Sequence, residues 1–380
     1  MSDHSRRCPY CGMQFTLDTC RVVASSQPSQ GANPFADGEA DSWAQPPSRV
    51  LWSPYEPPTA GRAAKWSWLA TNQQKTPDLS NVPPEVRPRR ECPKCRQLLP
   101  NDIDTRHAHI VGVVGLNVAG KSNYIATALT AAARQRGLAD IGVHEFEADV
   151  ETANRFQRDY YTPLFRNNRV LDGTQVDELV RLKPLIFRVT PADTTPLLLL
   201  IHDVAGEALV DPRSRAETTS FLRRASGLIF LLDPTEFDGL RDTLPSDSLT
   251  PDRDIDQVDL LAQMLHELAP GSDVPVAVTI GKADLLNSAR TAGTLFVRER
   301  DPSADFIADT KDVHAQLRDF LLEIGERRIV SIVDEHDSAT LHAVSALGSA
   351  PQGGRLDRVE PCRVLDPLGT VVLRLAARLT

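Results

Sequence analysis

Positive charge is in short supply in this chain: 42 Lys and Arg stand against 51 Asp and Glu over 380 residues, a formal charge of −9. That deficit argues against a general nucleic-acid binder or a protein that lies on anionic membranes, since either needs an excess of basic residues on some face. No apolar run approaches the roughly 20 residues that cross a bilayer. The first residues, Met1 to Arg7, lead into Cys8-Pro9 and not into an apolar leader core, so a soluble, cytoplasmic protein is expected. Aromatic residues make up only 6%, and all four tryptophans lie between Trp43 and Trp68. Cysteine is sparse as well. Six in a chain of this length, without a leader, read as thiols or metal ligands and not as a disulfide scaffold. What remains is 41% apolar composition, enough for at least one sizeable core and room for two or three domains.

Four of the cysteines fall in two similar knuckles, Cys8-Pro-Tyr-Cys11-Gly12 and Cys92-Pro-Lys-Cys95-Arg96. A Cys-Pro-x-Cys turn lets two thiolates and two backbone N–H groups face one metal ion, and two such turns make a four-cysteine Zn2+ site. The long insertion between the halves is tolerable because loop-closure entropy grows only logarithmically; free thiols or a redox pair are the rival reading. Cys20 and Cys362 have no partner at ligand spacing and read as ordinary cysteines. The expected organisation is a first ribbon half over 1–24, a largely disordered insertion over 25–90, a second ribbon half over 91–105 and a larger domain over 106–380. The insertion is rich in Pro, Ser, Gln and Gly, with Pro46-Pro47, Pro57-Pro58 and Pro83-Pro84 working against regular elements. Its tryptophans leave two accounts open: the segment packs back onto the globular part, or it docks a partner.

The larger domain is built around His109-Ile-Val-Gly-Val-Val-Gly-Leu-Asn-Val-Ala-Gly-Lys-Ser122. A β-branched apolar run passes directly into Gly115-x-x-x-x-Gly120-Lys121-Ser122, a phosphate-binding loop. Its glycines let backbone amides curl round the β-phosphate, Lys121 reaches the β/γ oxygens and Ser122 offers its hydroxyl to Mg2+. An Ala-rich helix over Asn123 to Arg136 follows, with its N-terminus turned to the phosphates.

Downstream, short apolar strands alternate with helical stretches, as in a mostly parallel sheet covered on both faces. Strands are expected at Ile110 to Val114, Leu185 to Thr190, Leu197 to His202, Gly227 to Leu232, Val276 to Ile280 and Ala339 to Ser345, the second and third forming an antiparallel hairpin. Helices are expected at Arg215 to Arg224, Asp254 to Leu268, Asp309 to Ile324 and Leu368 to Leu379; Ile329 to Val333 reads equally as strand or helix. The segment Gly137 to Arg169 is read as an inserted helix. Leu197 to His202 ends in Asp203-Val-Ala-Gly206: an acid after a buried strand holds Mg2+, and the N–H of Gly206 senses the γ-phosphate. Val276 to Ile280 ends in Gly281-Lys282-Ala283-Asp284, and Ser345-Ala346-Leu347-Gly348 follows the last strand.

In that order, Gly-x4-Gly-Lys-Ser, Asp-x-x-Gly, Lys-x-Asp and Ser-Ala-x resemble the nucleotide-binding motifs of Ras-like GTPases of the TRAFAC class. Asp203-Val-Ala-Gly-Glu207 and Ser345-Ala-Leu-Gly348, behind a cysteine-knuckle N-terminus, are more similar to the bacterial double-GTPase family associated with multi-gene conflict systems. The resemblance covers residues 106–380. It implies a Ras-like P-loop NTPase fold, three-layer α/β/α, with a mostly parallel six-stranded sheet and one antiparallel hairpin strand, beside a small split zinc ribbon. It also implies that Gly115, Asn117, Ala119, Gly120, Lys121, Ser122, Asn123 and Gly206 line the phosphates. Lys282 would pack along guanine, Asp284 would accept from its N1 and N2, and Ser345, Ala346 and Leu347 would sit at its O6 edge. The family carries Asn where this chain has Gly281, so one base contact is missing.

By the same resemblance Ser122, Asp203 and a switch threonine, Thr174 before Thr162, complete the Mg2+ shell. Glu207 stands where a Gln usually orients water; it acts as a base, repels the γ-phosphate, or is a solvent-facing helix-start residue. Asn117 contacts the γ-phosphate or hinders hydrolysis. Arg213 or Arg215 supplies an arginine finger in cis, or is a helix-surface residue. The resulting expectation is a Mg2+-dependent GTP-binding protein that hydrolyses GTP to GDP and phosphate as a switch in a multi-protein system, with Lys121, Thr174 and Glu207 as its catalytic residues. Its alternative is a nucleotide-gated scaffold with little or no hydrolysis, signalling through its switch loops and zinc ribbon. Expected partners are guanine nucleotide and a protein effector or regulator, with room for a nucleotide-dependent dimer; nucleic acid is disfavoured.

Overall fold

The computed structural model describes residues 5–8, 10–23, 50–52, 88–116, 119–134, 137–171, 184–192, 194–205, 223–244, 255–268, 273–288, 296, 298–301 and 303–378. The chain divides into two units, Met1–Ala108 and His109–Thr380.

In the first unit, β1 (Ser5–Arg7) pairs antiparallel with β2 (Gln14–Thr16), and β3 (Arg21–Val23) lies between β4 (Val50–Trp52) and β5 (Arg89–Glu91). The Pro-rich insertion thus contributes a strand where none is expected, at a β-prone Val-Leu-Trp triplet; residues 24–49 and 53–87 lie outside the described residues. Arg90, 3% exposed, forks onto Asp104 at 2.5 and 3.2 Å and donates to the Leu17 carbonyl at 3.3 Å. A buried guanidinium satisfied in this way costs little and ties the two halves of the unit together.

In the second unit a seven-stranded sheet runs in the order β12-β11-β10-β6-β9-β8-β7. Its strands are β6 (His107–Gly115), β7 (Val143–Ala148), β8 (Leu185–Pro191), β9 (Leu197–Ala205), β10 (Gly227–Leu232), β11 (Val276–Ile280) and β12 (Ala339–Ala343). β6, β10, β11 and β12 pair in parallel, while β8 runs antiparallel to β9 and to β7. The inner strands are buried on both faces, which is why their sequence is continuously apolar. On β10, Leu228, Phe230 and Leu232 face one core with α3 (Gln257–Glu267), α4 (Phe306–Glu323) and α5 (Arg327–Asp334). Ile229 and Leu231 face the other with α1 (Lys121–Ala133) and α6 (Leu365–Ala377). The α/β/α layering expected from the resemblance is therefore present, with one strand more.

That strand is β7. Between Gly137 and Arg169, read as a helix, the chain first runs along the sheet edge and only then turns into α2 (Val150–Phe156), which continues as a π-helix over Gln157–Arg166. Val143 and Phe146 are buried while Glu145 and Glu147 pair with Arg188 of β8, so polar edge residues hide the strand pattern. Ile329 to Val333, ambiguous in sequence, lies in α5, where Ile329, Val330 and Val333 form one buried stripe at helical spacing. The helix expected over Arg215 to Arg224 falls outside the described residues up to residue 222.

Candidate functional site

β6 delivers the phosphate loop to the sheet's carboxyl edge, where ligands of open α/β sheets bind. Gly115 sits opposite Leu231 of β10, and a Cβ there would come within 2.7 Å of the Leu231 carbonyl oxygen, so only glycine fits. Gly120 caps α1 at φ +81°, a left-handed conformation that costs glycine little. Lys121 begins α1 and is 5% exposed; its Nζ donates to the Gly115 and Leu116 carbonyls at 2.8 and 3.2 Å. The lysine thus closes the loop on itself, with Ala119 buried beneath it.

Ser122 donates from Oγ to Asp203 Oδ2 at 3.3 Å, bringing together two groups 81 positions apart. Tyr160 of the π-helix lies within electrostatic reach of the same carboxylate: its phenol is pushed up, first by burial and then by the charge of Asp203. Asn123 is 7% exposed and its side-chain amide is occupied by the backbone of Leu171, accepting from Leu171 N–H at 3.1 Å and donating to Leu171 O at 3.4 Å. A nucleotide contact from that side chain is therefore not what this conformation offers.

On the other side of the loop, Gly281 explains its own departure from the family pattern. A Cβ at this position would lie 3.0 Å from the Ala119 carbonyl oxygen, so a side chain requires the phosphate loop to give way. Lys282 follows at φ +50°, its Nζ 2.8 Å from Asp233 Oδ2. Asp284 accepts from Ser345 Oγ at 2.5 Å, and Ser345 Oγ accepts from Gly348 N–H at 2.9 Å. The two loops are joined through the backbone as well, Ala283 N–H donating to Val344 O at 3.0 Å. Ala346 and Leu347 are half-buried against the two neighbouring apolar clusters.

Sequence reasoning passed over three features. Asp233, at the end of β10, is 1% exposed and receives Lys282; its signal was an acid closing a continuous apolar strand. Gln257 braces the backbone of Asp233, accepting from its N–H at 2.7 Å and donating to its carbonyl at 2.9 Å. The connection after Ser345-Ala-Leu reaches Asn168–Val170: Val170 N–H donates to Gly354 O at 3.0 Å and Leu356 N–H to Asn168 O at 2.9 Å. These long-range pairs carry no local sequence pattern.

Thr162 lies in the π-helix, where its hydroxyl accepts from Gln157 at 3.1 Å. Asn117, Thr174, Gly206, Glu207, Arg213 and Arg215 lie outside the described residues.

In the first unit the Sγ atoms of Cys8, Cys11, Cys92 and Cys95 all lie within 4.8 Å of one another, with Cys8–Cys95 and Cys11–Cys92 each at 3.7 Å. Four thiolates at about 2.3 Å from a tetrahedral Zn2+ are separated by about 3.8 Å, so the donor set fits that ion. The knuckles are alike in backbone. Gly12 N–H donates to Cys8 O at 2.9 Å and Arg96 N–H to Cys92 O at 3.1 Å, and Gly12 and Arg96 have φ of +65° and +62°. Hydrogen bonding within the cluster pushes the Cys8 thiol up and the Cys92 thiol down. Cys20 is buried apart from this set, and Cys362 joins the backbone of Ser345 at 2.8 and 3.1 Å. No described helix is long and apolar enough to cross a membrane.

Over 306 residues the chain is 26% identical to a candidate ESX-1 scaffolding and assembly protein, SaeC, of Mycolicibacterium smegmatis, covering 73% of this chain and 77% of that one. Among solved structures, Methanosarcina barkeri Roco2 RocCORdC bound to GDP shares 11% identity over 72% of this chain and 50% of its own, with a TM-score of 0.31. A GTP-binding protein of Sulfolobus solfataricus in complex with GDP shares 13% over 72% and 53%, TM-score 0.28. The chain thus spans about half the length of these two archaeal proteins, and at such scores neither bears on what it binds. Residues 109–359 match the family described as Double-GTPase 2. That match covers the whole series of loops assembled above, and the chain belongs to the Double-GTPase 2 family of P-loop GTPases.

Proposed function

We propose that the second unit binds guanine nucleotide with Mg2+ and hydrolyses GTP to GDP and phosphate, and that the first unit holds one Zn2+ on Cys8, Cys11, Cys92 and Cys95. The observation that carries the nucleotide reading is the convergence of two distant pairs, Ser122 with Asp203 and Asp284 with Ser345, on either side of a loop closed by Lys121. Mg2+, when bound, supplies positive charge to the β and γ oxygens. Ser122 and Asp203 would hold it, with Thr174 as the third protein group. Lys121 exchanges the Gly115 and Leu116 carbonyls for phosphate oxygens, and the amides from Gly115 to Asn123, with that of Gly206, stabilise the charge that spreads as the γ-phosphoryl leaves.

Asp284, oriented by Ser345, accepts from guanine N1 and N2, a pair of donors adenine lacks; Lys282 lies along the base, and Ala346 and Leu347 border its O6 edge. Glu207 orients the attacking water. Single-turnover phosphate release with and without Mg2+, repeated on Glu207→Ala, tests the enzyme reading. A rate at least about tenfold lower in the variant at unchanged GTP affinity supports it. Turnover that is unchanged or faster, with GTP tightened relative to GDP, means that Glu207 repels the γ-phosphate instead, and no change in either means that it faces solvent.

The likeness to a protein named for scaffolding and assembly favours a second reading, a nucleotide-gated scaffold that acts in an assembly system by recruiting protein partners and hydrolyses slowly. Absence of Mg2+-dependent turnover, with nucleotide binding intact, selects it.

A further inference from the structure

Asp233 is more tightly determined than a strand end requires. Its backbone is gripped from both sides by Gln257, at 2.7 and 2.9 Å, and its Oδ1 accepts from Thr235 N–H at 3.0 Å and from Thr235 Oγ1 at 2.7 Å. Its other oxygen, Oδ2, takes the Lys282 ammonium at 2.8 Å. Five hydrogen bonds therefore fix this residue, three of them on a carboxylate that is 1% exposed, and the group it holds lies on another strand's loop, 49 residues further on. Lys282 itself is a non-glycine residue at φ +50°, a conformation that persists only where the surroundings enforce it and that gathers at ligand sites. Its side chain is 33% exposed, while the carboxylate that anchors the ammonium is buried. What Lys282 presents outward is then mainly its methylene stem, a flat apolar surface two residues from Asp284.

We propose that Asp233 is a positioning residue for base recognition: by fixing the ammonium of Lys282 it holds the lysine stem where the face of the guanine packs, in a loop where Gly281 offers no side chain to do so. The inference rests on the guanine-nucleotide reading of the site. Asp233 touches Lys282 and not the nucleotide. A surface lysine with a free ammonium would sample many rotamers and lose that freedom on binding; a lysine tied at its far end has lost it already, which favours association.

The test uses the full chain, with GDP and inorganic pyrophosphate as the two probes. Pyrophosphate meets only the phosphate loop. Asp233→Asn keeps an acceptor for Thr235 and removes the charge that holds Lys282, so GDP affinity should fall at least about tenfold while pyrophosphate affinity stays within about twofold. Lys282→Met should show the same split, and the double variant should bind GDP no worse than the weaker single one, because both changes remove one contact. Equal losses for GDP and pyrophosphate would mean a merely structural role, and multiplying losses would mean independent roles; either result overturns the proposal, as does an Asp233→Asn variant with unchanged GDP affinity. Should Asp233→Asn fail to fold, the double variant, which carries no unpaired ammonium, takes its place against Lys282→Met and must match it. If the unaltered chain binds pyrophosphate but shows no preference for GDP, the nucleotide reading falls first, and that outcome is distinct from all of these.

Discussion

The two units bury their cores by different means. In Met1–Ala108 the buried apolar side chains among the described residues, apart from cysteines and prolines, are Phe15, Val22, Val23, Leu98, Leu99 and Ile103, in a unit that also carries the four clustered thiols. In His109–Thr380 both faces of a seven-stranded sheet are covered by helices, and single strands such as Gly227–Leu232 are buried along their whole length. A patch as small as the first does not outweigh chain entropy by itself, and a structural metal is the usual supplement; a core as large as the second needs none. On the zinc reading proposed above, the difference teaches where each unit is vulnerable: the first to loss of an ion, the second to loss of packing or to charge forced into its interior.

Removing the cation should give the largest effect. Structural Zn2+ contributes roughly 10 kcal/mol or more in small domains. Cys92→Ser with Cys95→Ser, leaving Cys20 and Cys362 intact, should therefore empty the site and unfold the first unit while GDP affinity is retained. Elemental analysis reports the metal. Tryptophan fluorescence reports this unit alone, because all four tryptophans lie between residues 43 and 68. Zinc retained at one ion per chain, or GDP binding lost with it, would erase the contrast.

Acid should open the second unit by another route. Burial holds the His342 imidazole down at about 3, with its Nε2 bonded to Thr340 at 2.9 Å. Its folded value is depressed, so the stability it contributes is present above the ordinary histidine range and is lost as pH falls from about 6.5 towards 3. That amounts to roughly 2 kcal/mol by pH 5. Urea titrations followed by far-ultraviolet circular dichroism should show this slope, and His342→Asn should flatten it. An unchanged slope would assign the acid sensitivity elsewhere.

Lys121→Ala should cost on the order of 3 kcal/mol in GDP affinity, about two orders of magnitude, by removing a charge-assisted contact to phosphate. The zinc content should stay at one. Parallel titration calorimetry and metal analysis check both halves of that statement.

Much of the second unit was legible because parallel inner strands announce themselves. Gly227–Leu232 and Val276–Ile280 run over the very residues their apolar character marks. β7 was not legible: in Val143-His-Glu-Phe-Glu-Ala148 only Val143 and Phe146 are buried, three residues apart and with polar residues between them, so no period-two pattern marks this edge strand and a helix was read in its place. The apolar stripe of α5 was ambiguous because a short β-branched run suits either structure. At the site, the loop residues and the Asp203 and Asp284 carboxylates lie near or just beyond the carboxyl ends of strands and are marked by spacing. Asp233, Gln257 and the Asn168–Val170 pairing with the connection after Leu347 act through contacts between distant segments, and nothing local signals them.

The central claim is that the second unit is built for guanine nucleotide, and competition between GDP and ADP for the unaltered full chain tests it most directly. With Asp284 held by Ser345 to accept from two donors that adenine lacks, GDP should be preferred by about 3 kcal/mol, roughly a hundredfold. Equal affinity for the two nucleotides would contradict the account.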